Sequence, residues 1–303
     1  MDVAIMIEGQ NGLNWPRWQA IVRLVEELGF AGLYRSDHFT NARPPDLDSL
    51  ELWTSLTWLA ANTRRIEFGP LVTPFSFRHP SLTARMAVAV DDLSGGRLTL
   101  GVGGGWQQRE HEMFGFDLLD MKERFERFEE GLVCVRDLLQ SNDPVTVHGK
   151  YFRLEGAQVL PRPQRPGGPP ILVGGNGYRR TLQLAASYAS EWNANFLGPA
   201  QFEHADRHLN GLLQKQGRSQ AAVRRSLMTG CEFAIDTAGL QRKLAARGHT
   251  KQELLERGMV VGIGREVQEQ LQEYAQAGVQ RIMLQWLDLD DLDGLKNLAG
   301  AVL

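Results

Sequence analysis

Short apolar runs alternate with segments of helical periodicity along most of the chain. The run VAIMIE at 3–8 is typical of a buried parallel strand, whereas 15–28 has apolar residues at helical spacing and ends at Gly29. The same patterns predict further strands at 31–38, 65–73, 97–103, 171–175, 191–196, 226–235 and 281–286. They predict further helices at 49–62, 80–93, 178–189, 199–216, 240–257, 265–277 and 290–301.

Eight strands, each followed by a helix, predict an α/β fold of the (β/α)8 TIM-barrel type. A doubly wound parallel sheet is the alternative, but the strand count and the final strand–helix pair favour the barrel. Two insertions interrupt the rhythm, one after strand four at about 107–168 and one after strand seven. The first contains an amphipathic helix from Met121 to Leu139 and a hairpin that turns at Gly149. We expect a single barrel domain over 1–303.

Composition and charge are ordinary for a globular protein, with 303 residues, 43% hydrophobic content and a net charge of −3. The mild acidity gives no reason to expect nucleic-acid binding. No apolar stretch approaches the length of a membrane span, and no basic segment followed by an apolar run begins the sequence. Cys134 and Cys231 lie far apart in different predicted elements. We therefore expect free thiols and a cytoplasmic location.

Polar residues and glycines follow the predicted strands, where a barrel places its active site. The candidates are Glu8 after strand one, Asp37 and His38 after strand two, Thr73 after strand three, Gly103, Gly104, Gly105 and Trp106 after strand four, and Gly174, Gly175, Asn176 and Gly177 after strand five. Structural roles are the alternative: Glu8 could pair with an arginine, His38 could be a satisfied structural histidine, and the 101–105 glycines could serve close packing. Asp37 should face away from His38, its neighbour, and is expected to fix the loop.

The segment VGGNGYRRT at 173–181 is the best candidate for a phosphate site. A strand leads through glycines into a helix start, where backbone N–H groups bind anions. The spacing matches neither the GxGxxG fingerprint nor a Walker loop. The chain has no HExxH or paired CxxC motif to suggest a metal site and no GxSxG elbow to suggest a nucleophilic hydrolase.

Several segments together resemble the bacterial luciferase-like family, and within it the branch of oxidoreductases that use the deazaflavin coenzyme F420. These segments are LGFAGLYRSDHF, GPLVTPFSFRHPSLTARMAVAVDDLSGGRLTLGVGGGW, EHEMFGFDLLDMKERFERFEEGLVCVRDLL, PPILVGGNGYRRTLQLAASYASEWN and GMVVGIGREVQEQLQEYAQAGVQRIMLQW. They cover nearly the whole chain in order. FMN-dependent relatives in this family include alkanesulfonate monooxygenases.

The resemblance implies a barrel, often dimeric, with the cofactor ring at its carboxyl-terminal mouth. It places His38 beside the reactive edge of the ring as proton donor or acceptor. It places Gly174, Gly175, Asn176 and Gly177 at the cofactor phosphate, and Gly103 to Trp106 along the ring and ribityl chain. Glu8, Asp37 and Thr73 complete the expected cofactor site. A bulge after strand three, often with a non-prolyl cis peptide, backs the ring in this family, and the matching residues here are Pro70 and Leu71.

The function implied by the resemblance is hydride transfer between F420 and a small organic substrate. An FMNH2-dependent monooxygenase acting on an alkanesulfonate-like compound is the alternative, as is a non-catalytic flavin-binding relative. The chain departs from the F420-dependent sugar-phosphate dehydrogenases at Ala42 and Trp106, where they carry tryptophan and glutamate, so glucose 6-phosphate is a doubtful substrate. The apolar helix at 49–62 is the expected homodimer interface.

Overall fold

The computed structural model describes residues 1–303, and its strands and helices alternate along the chain. The strands are β1 (Asp2–Ile7), β2 (Gly32–Arg35), β3 (Glu67–Pro70), β4 (Thr73–Pro74), β5 (Leu100–Gly103), β6 (Val145–His148), β7 (Arg153–Ala157), β8 (Ile171–Gly174), β9 (Glu191–Asn195), β10 (Arg224–Phe233), β11 (Val260–Gly262) and β12 (Arg281–Gln285). The helices are α1 (Trp15–Leu28), α2 (Leu52–Asn62), α3 (Pro80–Ser94), α4 (Gln108–Phe114), α5 (Met121–Gln140), α6 (Thr181–Tyr188), α7 (Pro199–Lys215), α8 (Thr237–Arg247), α9 (Lys251–Glu256), α10 (Gly264–Gln276) and α11 (Leu292–Val302).

The parallel strands form a closed barrel, as predicted. Their order is β3-β2-β1-β12-β10-β9-β8-β5-β4, and β3 and β4 are two pieces of the third barrel strand, which leaves eight strand positions. The barrel closes at Phe68, whose N–H donates to the carbonyl oxygen of Arg97 at 3.1 Å while its own carbonyl accepts from the Thr99 N–H at 2.8 Å. Closure excludes the doubly wound sheet, whose edge strands do not meet.

The main core lies between the barrel and the surrounding helices. The barrel strands contribute buried residues such as Ile5, Leu33 and Val102, and α1 contributes the apolar stripe that its helical spacing predicted. Local signals also set the helix ends: the Asn14 side chain accepts from the Arg17 N–H at the start of α1, and Gly29, with φ 97°, ends it.

Both insertions are present, but their elements differ from those predicted. The segment 240–257 is two helices, because Gly248 with φ 68° ends α8 and Thr250 begins α9 in a capping box with Glu253. The segment between α9 and α10 contains β11, which pairs with β10 in parallel. In the first insertion the α5 helix and the β6–β7 hairpin were predicted, whereas α4 was not.

The third barrel strand breaks where a bulge was expected, but the cis peptide lies one bond further along. It joins Leu71 to Val72, so the expectation for the Pro70–Leu71 bond is wrong. Pro70 is still in register with Arg35, and the Leu71 N–H donates to the Arg35 carbonyl at 2.7 Å. Hydrogen bonds to β2 therefore continue as far as Leu71, and the cis peptide is the next bond along the chain.

The apolar helix at 49–62 uses most of its hydrophobic surface within the chain. Leu52, Trp53, Leu56 and Leu59 are buried, and only Leu50 and Trp58 are half-buried. None of the helices combines the length and the hydropathy that a membrane span requires.

Candidate active site

A cavity of about 460 Å³ opens at the carboxyl ends of the barrel strands. Nine of the residues predicted for the site line this cavity: Glu8, Asp37, His38, Leu71, Gly103, Gly104, Gly105, Trp106 and Gly174. The other predicted residues, Pro70, Thr73, Gly175, Asn176 and Gly177, do not line it. The cavity is of the size that small-molecule and cofactor sites usually have.

His38 lies in the loop after β2, which ends at Arg35 rather than continuing to residue 38 as predicted. Its Nδ1 lies 2.9 Å from Oε1 of Glu110, and its side chain is 19% exposed. The second carboxylate oxygen of Glu110 accepts from the Phe39 N–H at 3.0 Å. The carboxylate therefore fixes both the ring and the loop that carries it, and Nε2 of the ring is left without a protein partner on the cavity side.

The surroundings of His38 act on its pKa in opposite directions. Burial disfavours the imidazolium and by itself lowers the pKa. The hydrogen bond and charge of Glu110, together with the charges of Glu8 and Asp37, outweigh burial, so the pKa of His38 is raised above its ordinary value.

Glu110 lines the cavity beside His38, and the sequence analysis did not single it out. It is 1% exposed and lies on α4, the short helix that the periodicity did not reveal. The resemblance pointed to an acid only at the position of Trp106, where the sugar-phosphate dehydrogenases carry glutamate. This chain has a glutamate four residues later, in the first turn of α4.

Asp37 fixes the loop, as predicted. It makes no hydrogen bond to His38 and accepts one from the Thr73 hydroxyl at 2.7 Å. It also forms an ion pair with Arg78, which in turn contacts Glu51 at 2.9 Å. Thr73 and Arg78 therefore hold Asp37 in the cavity wall.

Glu8 belongs to a hydrogen-bonded chain on the cavity floor. Its carboxylate accepts from the side-chain amides of Gln285 at 2.7 Å and Gln10 at 2.9 Å. Gln10 accepts in turn from the Ser36 hydroxyl at 2.8 Å, and that oxygen accepts from the Gly9 N–H. Amides rather than an arginine hold this carboxylate, so the predicted structural alternative of an arginine partner is wrong.

The glycines after strand four allow close packing and also leave a side-chain-free wall on the cavity. A Cβ on Gly101 would lie 2.1 Å from the Pro70 carbonyl oxygen, and one on Gly103 would lie 2.6 Å from the Val72 side chain. Gly105 has φ 80°, which favours glycine. Gly104 has no such restriction, since its Cβ would meet Arg124 at 3.5 Å and Phe128 at 3.9 Å, which are ordinary contact distances.

Trp106 lies at the mouth of the cavity rather than in the core. It is 62% exposed, and its ring meets the His38 ring edge-on at a centroid distance of 5.5 Å. An exposed tryptophan at the mouth of a cavity offers a large apolar surface to a ligand.

The loop before α6 has the features of an anion site. The backbone N–H groups of residues 176–179 donate to no backbone acceptor, and Gly175 has φ 124°. Asn176 does not point into the cavity; its side chain donates to and accepts from the backbone of Asn195, at 2.7 and 2.9 Å. A second cavity of about 340 Å³ adjoins this loop at Arg179, and its charged lining residues are Lys122, Arg179, Arg180, Glu126 and Glu129. The free amides and the helix start favour a phosphate group at the loop itself, and the two arginines add positive charge beside it.

These features fit a flat cofactor that carries a phosphate. The glycine backbone and Leu71 provide a smooth wall for a ring, and Phe125 lines both cavities and so connects the ring region with the anion site. Of the residues predicted for the phosphate, Gly174 lines the main cavity, and Gly175, Asn176 and Gly177 follow it in the loop outside that cavity.

Comparisons with known proteins agree with this arrangement. The family model described as luciferase-like monooxygenase matches residues 1–246. The chain is 31% identical over 216 residues to a 5,10-methylenetetrahydromethanopterin reductase of Archaeoglobus fulgidus, covering 71% of this chain and 60% of that protein. It is 34% identical over 176 residues to an F420-dependent glucose-6-phosphate dehydrogenase of Amycolatopsis mediterranei, covering 57% of this chain and 50% of that protein. The chain thus spans only about half to three fifths of the length of these relatives.

Solved structures share the fold. An F420-dependent secondary alcohol dehydrogenase in complex with an F420-acetone adduct superposes with a TM-score of 0.85 at 16% identity, and all of both chains is covered. At this level of identity the likeness shows the barrel fold and nothing about the substrate.

Proposed function

Because the chain belongs to the luciferase-like monooxygenase family, we propose that it is a coenzyme F420-dependent oxidoreductase acting on a small organic substrate. The observation that carries the proposal is the imidazole of His38, which Glu110 holds at 2.9 Å in the wall of a cavity with a glycine backbone surface. The relative named as an F420-dependent dehydrogenase supports the deazaflavin over FMN.

In this proposal His38 handles the proton of the reaction. Glu110 accepts the Nδ1 proton, so the neutral ring has its lone pair on Nε2, which makes no hydrogen bond to the protein. Oxidation of an alcohol to a carbonyl would release the hydroxyl proton, which Nε2 would accept, and a hydride, for which a bound deazaflavin would be the acceptor. The reverse reaction uses the imidazolium as donor, and the raised pKa keeps that form available.

The residues that would hold the cofactor divide between ring and phosphate. Gly103, Gly104, Gly105 and Leu71 line the cavity and would face the ring. The amides of 176–179, with Arg179 and Arg180 close by, would bind the phosphate. A bound deazaflavin supplies a hydride donor or acceptor.

Anaerobic titration with F420 and with FMN, each oxidised and reduced, tests the proposal through the absorbance and fluorescence of the cofactor. We expect F420 to bind at least about tenfold more tightly than FMN, a difference of about 1.4 kcal/mol. Tighter binding of reduced FMN with consumption of oxygen would instead establish the monooxygenase alternative. Binding of neither cofactor would refute both.

We also propose that the protein acts as a cytoplasmic homodimer. The location is supported by two free, buried cysteines, since burial raises the pKa of Cys134 to about 11 and of Cys231 to about 12 and keeps both thiols protonated. The dimer is supported by Trp15 and Trp58, which pack edge-on at 6.4 Å on the outside of α1 and α2.

A further inference from the structure

The cavity contains several acidic groups and a single arginine. Glu8, Asp37 and Glu110 line it as carboxylates, and the one guanidinium in its wall is that of Arg124. The carboxylates already have partners, so they are structural fixtures of the wall rather than groups waiting for a cation. Their negative charge nevertheless makes the interior of the cavity unfavourable for an anionic substrate.

Arg124 has its donors turned towards the protein backbone. Its Nε and Nη2 donate to the Leu119 carbonyl at 3.2 and 3.0 Å, and Nη1 donates to the Gly105 carbonyl at 3.3 Å. Arg78 is paired with Asp37 and Glu51. The bonds of Arg124 use three of the five N–H groups of its guanidinium, so the wall sets three carboxylates against one arginine that the backbone largely engages. A phosphate, sulfonate or carboxylate on the substrate would meet this excess of negative charge.

The mouth of the cavity is formed by exposed apolar side chains. Trp106, Met121 and Phe196 all line it and are 62%, 57% and 36% exposed. Covering large apolar side chains with a ligand removes their surface from water, which favours binding. Trp106 contacts the His38 ring, so this apolar surface adjoins the group that handles the proton.

Phe196 is held at the mouth by an unusual backbone. It is the only non-glycine residue with a positive φ, at 51°, a conformation that bulky residues rarely adopt. Its N–H donates to the Met228 carbonyl at 2.9 Å, and the preceding Asn195 is fixed by Asn176. Such a conformation persists where the surroundings impose it, most often at ligand sites.

We propose that the substrate is an uncharged alcohol or carbonyl compound with an apolar alkyl or aryl group. That group lies against Trp106, Met121 and Phe196, and the reacting oxygen lies at Nε2 of His38. The reacting group rests on the proposed oxidoreductase function, whereas the preference for an uncharged, apolar ligand rests on the cavity alone. The departures at Ala42 and Trp106 from the sugar-phosphate dehydrogenases agree with it.

Two probes of similar shape and different charge test the proposal: 1-phenylethanol and mandelate, in which a carboxylate replaces the methyl group. Binding is measured by tryptophan fluorescence and calorimetry, with and without F420, and turnover is measured with F420. We expect 1-phenylethanol to bind at least about tenfold more tightly than mandelate, and glucose 6-phosphate not to compete with it. Equal or tighter binding of mandelate would overturn the proposal.

Variants at the mouth make the test specific. Phe196→Ala should weaken 1-phenylethanol binding by roughly tenfold, because an aromatic contact is lost. Leu93→Ala, at an exposed leucine on α3 that is 52% exposed and remote from the cavity, is the matched control and should change nothing. Met121→Lys should strengthen mandelate binding by roughly tenfold, because it adds a cation at the mouth of the cavity.

The outcomes separate this inference from the proposed function. If F420 fails to bind, the proposed function is wrong, and the preference between the two probes still decides the inference. If F420 binds but Phe196→Ala and Met121→Lys both leave probe binding unchanged, the inference is wrong and the proposed function stands.

Discussion

The imidazole of His38 is set by a few contacts that reach it from different parts of the chain. Burial lowers the pKa of the ring, and the Glu110 carboxylate at 2.9 Å, together with the charges of Glu8 and Asp37, raises it by more. The folded pKa therefore lies above the value of about 6.5 expected in the unfolded chain. The resulting stabilisation is fully present below about pH 6.5 and is lost as the pH rises through the folded pKa.

Glu110→Gln should lower the pKa of His38. The substitution removes the charge that raises the pKa and leaves burial, which lowers it. NMR titration of the His38 ring protons, assigned with His38→Ala, measures the change directly. The free energy of unfolding of the variant should also rise less on acidification through the His38 titration than that of the wild type. An unchanged titration would show that Glu110 does not control the pKa of the ring.

His38→Ala should leave cofactor affinity nearly intact and reduce turnover by roughly 10²–10⁴-fold, the usual effect of a positioned acid–base group. The reason is that the ring wall and the anion loop do not depend on the imidazole. Cofactor fluorescence measures binding, and steady-state assays measure turnover. Loss of cofactor binding with retained chemistry would assign His38 to the cofactor instead.

At the scale of elements, the loop of residues 176–179 joins β8 to α6, its amides donate to no backbone acceptor, and Arg179 lines the second cavity. The position Gly175 is unsuitable for testing this loop, because its φ of 124° strains any side chain. Asn176 is also unsuitable, because it clamps Asn195. Arg179 is exposed and forms no ion pair with the protein, so its charge can be changed with little disturbance of the loop.

Arg179→Glu should weaken cofactor binding by roughly tenfold, because a favourable charge beside the phosphate becomes a repulsive one. The effect should decrease with added salt. Arg85→Glu, an exposed arginine on α3, makes the same change of charge away from the loop and serves as the control. Equal effects of the two substitutions would indicate a response to net charge rather than a phosphate site.

At the scale of the whole molecule, a buried ionic cluster ties the amino-terminal end of the barrel together. Arg281 on β12 is fully buried and contacts Tyr34 on β2, Glu67 on β3 and Glu191 on β9. Burial raises the pKa of Glu191 despite the opposing charge of Arg281. The cluster connects strands that lie far apart in sequence and has no part in the cavity at the other end.

Arg281→Met should destabilise the fold by about 3–5 kcal/mol, because it leaves the buried carboxylate of Glu191 without its partner. Adding Glu191→Gln should recover most of that loss, since no buried charge remains unpaired. Urea unfolding of the two variants measures both effects, and cofactor binding should change in neither. An Arg281→Met variant as stable as the wild type would mean that the ion pair of Arg281 and Glu191 is not needed for stability.

The proposed homodimer belongs to the same scale. Light scattering at working concentration should give twice the chain mass of 33.9 kDa. Trp58→Glu should shift the distribution towards the monomer if the outer face of α2 forms the interface, whereas Leu93→Glu should not. A monomer mass for the wild-type protein would refute the dimer.

The sequence by itself determined the barrel and several of the residues that lie at the carboxyl ends of its strands. Strand and helix periodicity, the count of eight strand–helix units and the residues after each strand are local properties, so they can be read without coordinates. The positions of His38, Glu8 and the glycines after strand four were predicted in this way, and all of them line the cavity. The helix break at Gly248 was equally local in the sequence but was not recognised.

Only the tertiary structure decided which of these residues meet and in what state. Glu110 lies 72 residues from His38, and its helix gives no signal by itself, so the raised pKa of the histidine could not be anticipated. The cis peptide joins Leu71 to Val72, one bond beyond the predicted one. The Arg124 guanidinium donates to the carbonyls of Leu119 and Gly105, and its sequence position did not show this. The pairing of His38 with Glu110 brings together residues that lie far apart in the chain, and such contacts are not encoded in any single stretch of sequence.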